Sequence, residues 1–125
     1  MKHKVAVYGT LRPGTGKTAV IPGRIYDLGS FPGLVLDGSL PGVTVELIEV
    51  DDRHLGQLDR YEGYIEKNPE MSLYIRREVD FGSGPFFVYE YNDVMDNYKP
   101  VDSGDWLEYK GQSAGSAAVL ATGGY

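Results

Sequence analysis

The sequence predicts one α+β domain built mainly from short strands, and three observations support this prediction. The chain has 125 residues, which is enough for one hydrophobic core and too few for two. Ten tyrosines and 17 glycines against 4 phenylalanines are typical of many short strands joined by turns. One segment, residues 53–62, has a convincing helical pattern.

The composition restricts the classes of partner. A formal net charge of −6 argues against a nucleic-acid partner, because phosphates need a basic surface. We expect no membrane partner, since no window of 18 apolar residues occurs, and the apolar run near the amino terminus is too short for a signal peptide. With 0 cysteines, no disulfide, thiol nucleophile or Cys-type zinc site is possible. We therefore expect a cytoplasmic protein.

Strands are predicted wherever β-branched and aromatic residues alternate between turn residues. The sequence VTVELIEV at 43–50 is typical of a half-buried strand. The segments 73–81 and 86–92, joined by GSGP, predict a hairpin. Further strands are expected at 4–8, in the strand-like segment 19–29 around Gly23 and Ile25, and at Leu34–Leu36.

The predicted helix begins after Asp51 or Asp52, either of which can cap it, and ends at Gly63. Residues 103–107 (SGDWL) predict a short capped turn or a 3₁₀ element. The small-residue segment 111–125 is predicted to be a flexible tail, which leaves 1–110 as the folded domain.

The glycine-rich segment 8–18 (YGTLRPGTGKT) superficially resembles a phosphate-binding P-loop. The spacing is wrong, because the pattern G-x-x-x-x-G-K-[ST] read back from Gly16 requires glycine where Leu11 stands. The following TAVIPG also cannot open the helix that a P-loop needs. Two interpretations remain open: a flexible connection, or a strand-end loop whose amides face an anion or a carbonyl oxygen.

An acidic residue lies on the apolar face of the predicted helix. Leu55, Leu58 and Glu62 are spaced i, i+3 and i+7, so they share one face. Desolvation and the carbonyl end of the helix dipole would both raise the pKa of Glu62, as a general base working near neutral pH requires. Alternatively, Glu62 faces solvent at a frayed helix end or pairs with Arg76 or Arg77.

No metal site is predicted from the sequence. His3 and His54 have no ligand partner at i+3 or i+4, and residues 92–97 match a calcium loop only loosely. A serine nucleophile is also not predicted, because no G-x-S-x-G segment occurs.

Three segments in this order, VYGTLRPG at 7–14, LDRYEGY at 58–64 and YIRREV at 74–79, resemble the γ-glutamylcyclotransferase-like (AIG2-like) superfamily. The resemblance covers about residues 4–110 and includes SGDWL at 103–107. It implies a small mixed β-barrel with peripheral helices and one ligand pocket at its mouth.

The resemblance also implies a reaction. Enzymes of this superfamily cyclise the glutamyl part of a γ-glutamyl compound to 5-oxoproline and release an amine or amino acid. The attacking group is the substrate's own α-amine, so neither a metal nor an organic cofactor is implied. Glu62 matches the proton acceptor, and the residues implied in substrate binding are Tyr8, Gly9, Thr10, Leu11, Arg12 and Tyr74.

The stretch 65–73 (IEKNPEMSL) is longer than in some enzymes of the superfamily and carries Glu66 and Glu70. Either could be mistaken for the base, but Glu62 alone lies on the helix stripe and is therefore kept. Other matters stay open at this point. The leaving group could be that of glutathione, a γ-glutamyl amino acid or γ-glutamyl-ε-lysine. A non-catalytic module of the same fold that binds a small carboxylate is the alternative function. The oligomeric state is not predicted.

Overall fold

A computed structural model describes residues 1–9, 12–14, 17–40, 42–93 and 97–111. Within these ranges, eight strands, two α-helices and one 3₁₀ turn follow one another. They are β1 (Lys2–Val7), β2 (Lys17–Ile21), β3 (Gly23–Asp27), β4 (Pro32–Leu36), β5 (Val43–Asp51), α1 (Asp52–Tyr61), the 3₁₀ turn (Pro69–Met71), β6 (Tyr74–Asp80), β7 (Pro85–Tyr91), β8 (Lys99–Pro100) and α2 (Trp106–Lys110).

The strands form a five-stranded sheet in the order β2-β5-β1-β7-β6 and a three-stranded sheet in the order β4-β3-β8. All pairs are antiparallel except β1 with β7, which are parallel. The predicted α+β class is confirmed. The predicted closed barrel is wrong: among the described residues neither sheet closes.

The two sheets approach one another between β4 and β7. The amide of Leu36 on β4 donates a hydrogen bond to Oε2 of Glu90 on β7, with an N–O distance of 2.8 Å. β7 lies between β1 and β6 in its own sheet, and among the described residues it forms no backbone ladder with β4.

The core has two parts, one on each face of the five-stranded sheet. Alternation along β1 divides them, because successive side chains of a strand point to opposite faces. Ala6 and Tyr8 belong to the part that also contains Trp106. Val5 and Val7 belong to the other part, against which α1 packs; that part comprises Val5, Val7, Val50, Leu55, Leu58, Tyr74 and Tyr89.

Most predicted elements are confirmed with small changes in their bounds. The segment 19–29 differs, because Pro22 divides it into β2, which pairs with β5, and β3, which pairs with β4. SGDWL at 103–107 forms a turn that leads into the α-helix α2, with Asp105 as its N-cap, so the predicted cap is confirmed and the element is α-helical where a turn or 3₁₀ element was expected. The predicted tail lies outside the described residues from position 112 onward.

Candidate active site

Glu62 caps the carboxyl end of α1 and is buried. Its amide donates to the carbonyl oxygen of Leu58 at 2.9 Å, and only 2% of the residue is exposed. Leu55 and Leu58 on the same face are also buried. The next residue, Gly63, has a φ of 68°, a left-handed conformation that ends the helix. The prediction that Glu62 lies on the apolar stripe is confirmed, and the interpretation that it faces solvent is wrong.

The two arginines considered as partners of Glu62 are each paired with another carboxylate. Arg76 forms an ion pair with Asp59, with 2.6 Å between Nη1 and Oδ2. Arg77 forms one with Glu90, with 3.1 Å between Nε and Oε1. Glu62 is buried, whereas Glu66 and Glu70 in the 65–73 stretch are both exposed.

Three buried phenols lie near enough to the Glu62 carboxylate to be affected by its charge. They come from the end of β1 (Tyr8), from β6 (Tyr74) and from β7 (Tyr89). Burial is the main reason that the pKa of each phenol is raised, and the negative charge of Glu62 raises it further. Since one carboxylate acts on all three phenols, the residue after β1 and the end of α1 lie near one another.

The hydrogen bonds of these phenols hold the site together. The hydroxyl of Tyr8 donates to the carbonyl oxygen of Tyr89 at 2.6 Å, and that of Tyr74 donates to the carbonyl oxygen of Pro32 at 2.7 Å. The hydroxyl of Tyr89 donates to Oδ1 of Asp59 at 2.6 Å. All three phenols are therefore neutral donors fixed by the protein.

The loop after β1 does not lead into a helix. Tyr8 and Gly9 are buried at the strand end, and β2 begins at Lys17, where a P-loop would open its helix. The spacing argument against a nucleotide phosphate is thus supported by the fold. Thr10 and Leu11 lie outside the described residues, so their predicted role in substrate binding stays a prediction.

Arg12 is buried among protein carboxylates. Its Nη1 lies 3.0 Å from Oδ1 of Asp105, and its Nε lies 3.3 Å from Oε1 of Glu46. The amide of Gly14 also donates to Glu46, at 2.9 Å to Oε2. These contacts anchor the loop, and the predicted contact of Arg12 with substrate stays a prediction.

Sequence reasoning missed Glu46 and Asp105. A signal for Glu46 was present, because it is an acid in the middle of the otherwise β-branched and aliphatic first part of β5 (VTVEL). Asp105 stood in SGDWL, but only the three-dimensional structure brings it to Arg12, 93 positions away in sequence.

Three further observations on the described residues concern metal binding, membrane-spanning helices and a surface groove. Within the described ranges, no group of three histidine, aspartate or glutamate side chains could hold a metal ion. Over the same residues, no helix is long and apolar enough to span a membrane. A surface groove of about 490 Å³ lies at the amino end of β1, lined by residues such as His3 and Phe86, and is not part of the Glu62 site.

Comparison with known proteins places this geometry in a family. Residues 5–108 match the family described as "Gamma-glutamyl cyclotransferase, AIG2-like". The chain belongs to this family. All three segments on which the resemblance was based, including Glu62 in LDRYEGY, lie within the matched range.

Relatives of the family align over nearly their whole length. A Vibrio cholerae protein, provisionally named as a gamma-glutamylcyclotransferase, is 31% identical over 122 residues, which cover 86% of this chain and 98% of the relative. The solution structure of the Escherichia coli protein ytfP has a TM-score of 0.63 at 27% identity, covering 88% of this chain and 99% of that one. A crystal structure of an uncharacterized Pyrococcus horikoshii protein has a TM-score of 0.64 at 26% identity, covering 86% and 92%.

Proposed function

We propose that the protein cyclises a γ-glutamyl amine or amino acid to 5-oxoproline, with Glu62 as general acid and base. One observation carries this proposal: the buried carboxylate of Glu62, at the end of α1, acts on the phenol of Tyr8, the residue before Gly9. Family membership supports the reaction class. The predicted elevation of the Glu62 pKa and the cytoplasmic location remain predictions.

The reaction needs no nucleophile from the protein. The substrate's α-amine attacks the γ-carbonyl carbon, a C–N bond forms, and the carbonyl oxygen takes up negative charge. Glu62 accepts a proton from the α-ammonium group and later gives it to the leaving nitrogen, whose bond to the γ-carbonyl carbon then breaks. Holding amine and carbonyl at reacting distance contributes on the order of several kcal/mol.

The loop at 8–12 would bind the substrate. The amides of Gly9, Thr10 and Leu11 would donate to the carboxylate and to the developing oxyanion, with Arg12 keeping the loop in place from the protein side. The buried rings of Tyr8 and Tyr74 would exclude water, which strengthens each of these interactions. The substrate supplies the nucleophile and the amides supply the oxyanion donors, so the proposed reaction uses no cofactor.

Turnover is tested with a panel that contains glutathione, γ-glutamyl dipeptides and γ-glutamyl-ε-lysine, with 5-oxoproline as the measured product. Conversion of at least one compound is expected, and the preferred compound identifies the leaving group. If no compound is converted but a γ-glutamyl compound binds in calorimetry, the protein is the non-catalytic carboxylate-binding module and the proposed reaction is wrong.

The role of Glu62 is tested with Glu62→Gln, which keeps the shape of the side chain and removes its proton-accepting function. We expect kcat to fall by about 10²- to 10⁴-fold, the usual contribution of general acid–base catalysis. Glu66→Gln and Glu70→Gln are the matched controls, because both side chains are exposed in the neighbouring stretch, and each should keep wild-type activity. Full activity of Glu62→Gln would remove Glu62 from the mechanism.

A further inference from the structure

One group of charged side chains beside the site has no role in the proposed reaction. Asp59 lies one turn before Glu62 on α1, and both of its carboxylate oxygens are used. Oδ1 accepts a hydrogen bond from the Tyr89 hydroxyl at 2.6 Å, and Oδ2 lies 2.6 Å from Nη1 of Arg76. The side chains of Asp59 and Arg76 are each only 16% exposed. This group joins the last turn of α1 to β6 and β7.

The guanidinium of Arg76 is held in place by two rings as well as by Asp59. Its Cζ lies 5.2 Å from the centroid of the Tyr64 ring and 4.7 Å from that of the Phe87 ring, within the range of cation–π attraction. The amide of Tyr64 donates to the carbonyl oxygen of Asp59 at 2.8 Å. The chain on both sides of Glu62 is thus tied to one fixed cation.

The titratable groups around Glu62 in the described chain come from four elements. They are Tyr8 after β1, Tyr74 and Arg76 on β6, Tyr89 on β7 and Asp59 on α1. One more phenol, Tyr91, acts on Tyr74, and one more acid, Glu90, is paired with Arg77 and acts on Tyr8. Burial keeps the three inner phenols neutral, and the charges of Asp59, Arg76 and Glu62 all act on the phenol of Tyr89, so the Asp59–Arg76 pair and Glu62 lie around one ring.

We propose that Asp59 is a positioning residue which holds the end of α1 on the sheet and neutralises Arg76, so that this cation does not stabilise the Glu62 carboxylate. The inference rests on the proposed function, because it concerns the proton affinity of the proposed base. Without Asp59 as counter-ion, the charge of Arg76 would favour the ionised form of Glu62. Glu62 would then be a weaker base.

The proposal predicts shifts of opposite sign in the acid limb of the pH profile of kcat/KM. Asp59→Asn leaves Arg76 without its counter-ion and should move the limb to lower pH by about 1 pH unit. Arg76→Gln leaves the charge of Asp59 uncompensated and should move it to higher pH. The double variant should lie close to the wild type. A purely structural role would reduce the rate in both variants without shifts of opposite sign.

A second measurement is independent of turnover. The carboxyl ¹³C resonance of Glu62, assigned with Glu62→Gln, reports its titration in the free protein, and the same opposite shifts are expected there. Retained turnover in Glu62→Gln would disprove the proposed function but leave this titration readable. Shifts in the same direction, or none, would overturn the present inference alone. If Asp59→Asn does not fold, the upward shift in Arg76→Gln decides the matter.

Discussion

Glu46 shows how a single buried acid can fix the geometry of a site that it does not line. It is 1% exposed, stands opposite Val7 on β1, and accepts hydrogen bonds from the amide of Gly14 and from Arg12. A buried charge is tolerated only when it is paired and hydrogen-bonded. Arg12 and Gly14, between β1 and β2, are therefore held by an acid on β5.

Replacing this acid should destabilise the protein. Glu46→Gln keeps the volume and an acceptor for Gly14 but leaves the guanidinium of Arg12 with one carboxylate instead of two. We expect the free energy of unfolding to fall by about 3 kcal/mol, as when one partner of a buried ion pair is removed. Urea unfolding followed by circular dichroism measures it.

The matched control is Glu49→Gln, three positions along the same strand, where the side chain is exposed. We expect its free energy of unfolding to stay within about 0.5 kcal/mol of the wild type. Equal losses in Glu46→Gln and Glu49→Gln would show that the buried ion pairs do not anchor the loop.

At the residue scale, the sequence predicted the site in part. Glu62 could be found because helical spacing alone places it with Leu55 and Leu58. Arg12 was expected to bind substrate, which stays a prediction, and its two carboxylate partners come from β5 and from the start of α2. No local pattern contains such long-range partners, so the anchoring of the loop could not be predicted.

At the scale of elements, the junction between β5 and α2 depends on a close approach of two backbones. The amide of Thr44 on β5 donates to the carbonyl oxygen of Gly104 at 2.8 Å. Gly104 has a φ of 71°, and a Cβ at this position would overlap the carbonyl oxygen of Gly42. This approach places Asp105 where it both caps α2 and meets Arg12.

Two glycine substitutions distinguish the cost of left-handed backbone strain from the cost of crowding where Gly104 approaches Gly42. Gly104→Ala and Gly111→Ala both put alanine at nearly the same left-handed φ, 71° and 67°, but a Cβ at Gly111 meets nothing within 4 Å. Gly111→Ala should cost about 1 kcal/mol in left-handed strain alone. Gly104→Ala should cost clearly more, because the two segments must also move apart.

The measurement is the thermal unfolding of both variants beside the wild type, with the lower Tm expected for Gly104→Ala. Turnover should also fall in this variant, because displacement of Asp105 weakens the anchor of the loop. Similar Tm values for the two variants would mean that the approach of Gly104 to Gly42 contributes nothing to stability.

The sequence predicted the elements in which apolar residues recur at the spacing of a strand or a helix. It did not predict the others. The β-branched and aliphatic sequence of β5 and the i, i+3 spacing of Leu55 and Leu58 in α1 were readable, and the N-cap Asp51 and the left-handed Gly63 give the bounds of α1. β8, with 2 residues, is too short for any period. α2 was predicted only as a turn, because its helical form depends on the burial of Trp106 and Leu107 in a core built by distant strands.

For the whole molecule, the sequence predicted the fold class but not how the strands divide into sheets. Closure of a barrel depends on hydrogen bonds between strands far apart in sequence, here β4 and β7. Their approach ends in the bond from Leu36 to the carboxylate of Glu90, which has no local sequence signal. Family resemblance supplied the barrel, and the described residues form two sheets in its place.

The three-stranded sheet is also joined to α2 by a pair that responds to pH. The hydroxyl of Tyr109 on α2 donates to Oδ2 of Asp27 on β3 at 2.7 Å. This hydrogen bond is the largest cause of the lowered pKa of Asp27, and the amide of Gly29 and the charges of Lys110 and Lys99 lower it further. The folded state thus prefers the ionised carboxylate more strongly than the unfolded state does.

The sign of the pH dependence follows from linkage. A carboxyl group with a lowered pKa in the folded state contributes stability above its unfolded pKa, about 3.9 for aspartate. That contribution is lost as the pH falls through the folded pKa. Tyr109→Phe removes the largest cause, so we expect the variant to be less stable than the wild type at pH 7, with the difference shrinking towards pH 2. Urea unfolding at several pH values measures the difference. In an Asp27→Asn background, the effect of Tyr109→Phe on the free energy of unfolding should no longer vary with pH. If Tyr109→Phe alone differs from the wild type by the same amount from pH 7 to pH 2, this pair does not couple the sheet to the helix.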